Sequence, residues 1–166
     1  MPFELGQLLS ERYALRELIG EGGSARVYRA EDTRLGRDVA LKVLHEEMLR
    51  LDRERFLREV RVLSRLSHPG IIAIYDLGAQ VMGAGQPLDY FTMPLLRGGP
   101  ISLLGPLEDS SQSIEPFFEG VMFTALALDY LHAQGLIHRD LTPANLLLGE
   151  GGLPHIMDFG LVSAGE

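Results

Sequence analysis

The sequence predicts an α+β fold in two parts, a five-stranded antiparallel sheet with one helix over residues 1–96 and a mainly helical remainder over residues 97–166. Three observations predict it. Short runs rich in apolar and β-branched residues, separated by turn-prone stretches, fill the first half. The apolar period becomes helical at Arg53. A Gly- and Pro-rich stretch at 97–106 then divides strand-like from helix-like sequence and places a boundary near Leu96.

Residues 13–19, 25–31 and 37–44 read as strands, with turns at 20–24 and 32–36. No connection between them could hold a helical crossover, so consecutive strands are antiparallel. Residues 53–66 read as a helix with Phe56, Val60 and Leu63 on one side, ended by Pro69. Two more strands, 71–77 and 90–93, are joined by the Gly-containing loop 78–87. Residues 116–134 are the strongest helix candidate, with Phe117, Phe118, Val121, Met122, Leu126 and Leu131 spread over almost every side, the pattern of a helix covered all round.

The 166 residues suffice for one ordinary domain or two small lobes. Hydrophobic residues at 46% and charged residues at 23% are soluble-domain values, and no apolar run approaches the roughly 18 residues of a membrane span. The first residues lack the features of a signal peptide, and the absence of cysteine removes disulfides and thiolate metal sites, so a cytoplasmic location is expected. A net charge of −8 opposes binding to nucleic acid or anionic lipid.

Gly20-Glu21-Gly22-Gly23-Ser24-Ala25-Arg26-Val27 is a glycine-rich turn between strands, where backbone N–H groups could approach phosphate oxygens. It leads into a strand, not a helix, which excludes a dinucleotide-binding turn. Lys42 lies in the apolar strand Val39-Ala40-Leu41-Lys42-Val43-Leu44, on the face of Ala40 and Leu44 by alternation. Helical spacing aligns Glu59 with Phe56, Leu63 and Leu66, within or beside the stripe facing the strands. An unpaired buried carboxylate costs several kcal/mol, so a cation is required near Glu59, and Lys42 is the obvious partner. In the second half, His138-Arg139-Asp140-Leu141-Thr142-Pro143-Ala144-Asn145 is followed by Asp158-Phe159-Gly160. Asp140 could accept a hydroxyl proton, and Asn145 and Asp158 could supply the hard oxygen ligands that magnesium prefers.

Together these motifs resemble a protein kinase of the bacterial serine/threonine type, from about Tyr13 to Gly160. The resemblance implies a protein-kinase-like fold with an N-lobe, a hinge at Met93-Pro94-Leu95-Leu96 and a C-lobe, using ATP and magnesium to phosphorylate a protein substrate. It implies that Gly20, Gly22 and Ala25 cover the phosphates. Val27, Ala40, Met93, Pro94, Leu96 and Leu147 would enclose adenine, and Lys42, paired with Glu59, would contact the phosphates. Asp140 would be the base, Asn145 and Asp158 the metal ligands, with His138 and Phe159 packed as supports. Ala25 replaces the usual third glycine, and Thr142 stands where a lysine is usual, a loss on the order of a hundredfold in rate by analogy with removing one transition-state donor. Only six residues follow Gly160, so the expectation is an N-terminal portion of a catalytic domain, its apolar helix left open for association. The alternative is a non-catalytic ATP-binding module that regulates a partner.

Overall fold

The computed structural model describes residues 3–23, 25–45, 53–54, 57, 60–81, 87–101 and 114–157. The chain divides into two compact units, Met1–Arg65 with Ala73–Leu95, and Leu66–Ile72 with Leu96–Glu166.

The first unit is a six-stranded antiparallel sheet of β1 (Leu8–Leu9), β2 (Tyr13–Glu21), β3 (Ala25–Asp32), β4 (Arg37–Leu44), β5 (Asp76–Gln80) and β6 (Leu88–Pro94). Their order across the sheet is β1-β2-β3-β4-β6-β5. The two-residue β1 is additional to the five strands expected. Residues 71–77 were expected as a strand, but that strand begins only at Asp76, because the apolar run is used elsewhere. Ile71 bridges Ile156, and the Ile72 N–H donates to the Ile156 carbonyl at 3.0 Å in the second unit. Helical backbone is described at 53, 54, 57 and 60–63. The Arg53 guanidinium fixes this stretch to β6 by a two-point bond to buried Asp89, at 2.6 and 2.7 Å.

One face of the sheet buries Leu15, Tyr28, Ala30, Val39, Leu41, Val43 and Tyr90 in a continuous apolar core, which Phe3 and Leu9 extend. The two edges of the sheet are tied by side chains. Tyr90 Oη donates to Ser10 Oγ at 2.7 Å, and the Ser10 N–H donates to Gln80 Oε1 at 2.8 Å. Arg12 grips Asp32 with Nε and Nη2, at 2.9 and 2.7 Å, and reaches Asp76 at 3.0 Å. Tyr13 Oη donates to the same Asp76 oxygen at 2.8 Å, and burial first, then this bond, pushes its phenol up to about 12.

Gly78 sits opposite Tyr90 in the β5–β6 register, and a Cβ placed there would lie 2.5 Å from the phenol carbon and oxygen. Gly78→Ala is therefore expected to displace the ring from Ser10 and destabilise the fold by about 2 kcal/mol, the usual scale of overpacking. Denaturant melting of the variant measures this.

In the second unit one long helix, Glu115–Ala133, packs on a two-stranded sheet of β7 (Leu146–Leu148) and β8 (Pro154–Ile156). Pro116 lies in its first turn, where the missing N–H costs nothing. Its end is a complete Schellman turn. Gly135, at φ +73°, donates to the His132 carbonyl at 2.9 Å, and the Leu136 N–H to Leu131 at 3.0 Å, with both leucines buried. Only Gly120, Thr124, Ala127 and Leu131 of this helix are buried, whereas Phe118, Val121, Met122 and Leu126 are exposed. Within the described residues it is thus covered along one stripe, not all round. Among those residues no helix is long and apolar enough to cross a membrane.

Candidate functional site

In the first unit, register collects the expected residues. Val27 opposes Lys42, Lys42 opposes Phe91, Ala40 opposes Met93, and Gly20 opposes Val27. Directly opposed residues share a face, and alternation joins Ala40 to Lys42. Gly20, Val27, Ala40, Lys42 and Met93 therefore line the face opposite the apolar core. Ala40 and Met93 are buried there, while Val27 and Lys42 are half-buried. Pro94, which has no N–H, closes β6, and Leu96 begins the segment grouped with the second unit. Glu59 lies outside the described residues.

The glycine turn is closed by the Gly22 N–H donating to the Ala25 carbonyl at 3.0 Å and flanked by an Arg26–Glu21 ion pair at 2.7 Å. Ala25 pairs with Leu44 as the first residue of β3 and has no positive φ, so alanine fits without strain. Gly22 and Gly23 also lack positive φ. A Cβ on Gly22 would come no nearer than 3.9 Å to another atom, and one on Gly23 would meet nothing within 4 Å. Among the described residues, neither a positive φ nor a close Cβ contact requires these glycines. The room they leave suits the close backbone approach of a polyphosphate. Lys42 is the only lysine among fifteen Lys and Arg residues. Lysine offers a compact ammonium at this position, which a planar guanidinium does not reproduce.

In the second unit, the Schellman turn delivers the chain into the His138–Asn145 segment. His138 is buried, and its Nε2 lies 2.9 Å from the Met157 carbonyl, which can only accept, so Nε2 carries the proton. Arg139 adopts φ +64°, and across it the Asp140 N–H returns to the His138 carbonyl at 2.9 Å. This is a γ-turn of the strained hand, of a kind concentrated at functional sites. It projects Asp140 into solvent. One turn of 3-10 helix, Pro143–Asn145, then brings Asn145 back, and its Nδ2 donates to the Asp140 carbonyl at 2.8 Å and to Asp140 Oδ2 at 3.2 Å.

With the amide nitrogen spent on Asp140, Oδ1 is the Asn145 atom left to ligate a cation, and a hard oxygen is what magnesium requires. Among the described residues no three His, Asp or Glu side chains are grouped to hold a metal. The other expected ligand, Asp158, lies outside the described residues, as does Phe159. Leu147 stands on β7 opposite His155, half-buried. The sequence reading missed Met157. Its carbonyl is held by His138 and its N–H donates to the Asn145 carbonyl at 2.8 Å, so both backbone groups of the residue before Asp158 are fixed by the loop that carries Asp140. Adjacency to Asp158 is the one sequence signal that could have pointed to it.

The chain matches the family model described as protein kinase domain over residues 13–166. It is 56% identical over 166 residues to the DNA damage-responsive serine/threonine-protein kinase RqkA of Deinococcus radiodurans, covering 100% of this chain and 24% of that protein. It is 38% identical over 167 residues to the probable serine/threonine-protein kinase PknB of Bifidobacterium longum, covering 95% and 24% respectively. The serine/threonine-protein kinase PknA of Mycobacterium tuberculosis is 38% identical over 163 residues, with 96% and 37% covered. The chain thus spans about a quarter of the length of the first two of these relatives. A match across nearly its whole length, with these relatives beside it, places the chain in the protein kinase family.

Proposed function

We propose that this chain forms part of the catalytic domain of an ATP-dependent kinase that phosphorylates Ser or Thr in protein substrates. The observation that carries the reading is the Asn145 clamp on Asp140, which aims a carboxylate outward and reserves an amide oxygen beside it. Bound ATP supplies the γ-phosphoryl group, and magnesium neutralises charge on the phosphates. The chain's residues do the rest. Gly20, Gly22 and Ala25 hold the backbone close over the phosphates. Lys42, oriented by Glu59, contacts them, and Val27, Ala40, Met93, Pro94, Leu96 and Leu147 enclose the base. Asp140 accepts the proton of the attacking hydroxyl, and Asn145 and Asp158 hold magnesium.

Thr142 favours the second reading, a non-catalytic ATP-binding module. It is exposed and places no charge two residues beyond Asp140. Radiolabelled ATP with magnesium and a generic basic protein, added to the full-length protein, separates the two. Transfer supports the kinase. Saturable ATP binding without transfer selects the binding module, and absence of both overturns the nucleotide site itself. A lysine-directed acyl-phosphate analogue of ATP gives an independent reading, because within this chain Lys42 offers the only side-chain amine for it to acylate.

A further inference from the structure

His45 follows β4 directly, three residues beyond Lys42, and none of the roles above uses it. Its Nδ1 lies 3.2 Å from the carbonyl of Gly23, at the tip of the glycine turn. A carbonyl only accepts, so Nδ1 carries the proton and donates. Nε2 of the same ring is buried and reaches no partner among the described residues, so Nδ1 is the nitrogen that holds Gly23.

We propose that His45 is a positioning residue for nucleotide binding, holding the tip of the glycine turn against the end of the strand that carries Lys42. The inference rests on the nucleotide-binding reading above. A Cβ on Gly22 or Gly23 would meet no described atom closer than 3.9 Å beyond its chain neighbours, and both have ordinary φ values, so side-chain packing at these two positions does not fix the tip. Glycine loses more freedom on ordering than any other residue, and a ligand that had to order this turn itself would bind more weakly. Among the described residues the turn is held by the Gly22–Ala25 backbone bond, the Arg26–Glu21 pair and the His45 donor. The first two act at the base of the turn. His45 alone of the three acts on Gly23.

The test is magnesium-ATP affinity, by fluorescent-nucleotide titration and by the KM for ATP, in full-length protein carrying no substitution, His45→Phe or His45→Asn. Phenylalanine keeps the ring and removes the donor, and asparagine returns an amide N–H near the position of Nδ1. The expected result is a three- to tenfold rise in Kd and KM for His45→Phe, the weight of one ordinary hydrogen bond, with kcat unchanged and affinity largely restored in His45→Asn. Equal affinity in all three proteins overturns the inference, as does a lower Tm in His45→Phe without weaker binding, which marks a structural role only. A loss that asparagine does not restore overturns it too. If the unsubstituted protein binds no magnesium-ATP, the nucleotide-binding reading fails and this inference falls with it.

Discussion

Asp140→Asn in the full-length protein is expected to lower phosphoryl transfer about a thousandfold, the middle of the range for a lost general base, while ATP affinity stays within about twofold. The substitution keeps side-chain size and still offers Asn145 an oxygen, so the 2.8 Å bond to the backbone carbonyl and the strained turn at Arg139 survive. Only the proton acceptor is lost. Radiolabel transfer alongside nucleotide titration separates the two effects. Transfer retained within tenfold would remove Asp140 from the role of base, and a parallel loss of nucleotide affinity would make it a binding group instead.

The largest expected effect on stability is at Arg12. Asp32 is 1% exposed and accepts two bonds from the Arg12 guanidinium, with weaker support from the N–H groups of Arg34 and Leu35 at 3.2 and 3.3 Å. Arg12→Leu leaves that carboxylate buried without its cation and removes a link to Asp76, so a loss of about 3 kcal/mol is expected, at the lower end for a broken buried pair because Arg12 itself is partly exposed. The Arg12 bond holds the Asp32 carboxyl below its ordinary value of 3.8. A carboxyl whose folded pKa is depressed adds stability above its unfolded pKa and surrenders it as pH falls through the folded one. The gap between wild type and variant is therefore expected to be full at neutral pH and to narrow as pH drops below 3.8. Denaturant melts across that range measure it. A gap that is small at pH 7, or constant on acidification, would show that the pair is not what stabilises this corner.

Where function depends on spacing along one element, the sequence was readable. Alternation alone put Lys42 with Ala40, and the β3–β4–β6 register added Val27 and Met93 to the same face. The long helix was legible because nineteen residues of helical sequence outweigh local ambiguity. The strand expected at 71–77 was displaced because an apolar run does not say which sheet will take it, and Ile71 and Ile72 are bonded to Ile156 of the second unit. The two-residue β1 is too short to carry a period. Partners joined only by folding were also hidden. Nothing near Met157 in sequence announces that His138 and Asn145 hold its backbone, and nothing near His45 announces Gly23, 22 residues earlier.

The bonds that tie the two edges of the β-sheet, from Ser10, Arg12 and Tyr13 to Asp76, Gln80 and Tyr90, join residues 63 to 80 positions apart. The β2–β3 and β3–β4 ladders connect near neighbours in sequence, so they can zip first, whereas loop-closure entropy delays the distant edge contacts. Edge closure is therefore expected to follow pairing of these ladders. Side chains that act late do little to speed folding and mainly slow its reversal. Arg12 and Tyr90 are thus expected to bear on how long the folded first unit persists more than on how quickly it forms.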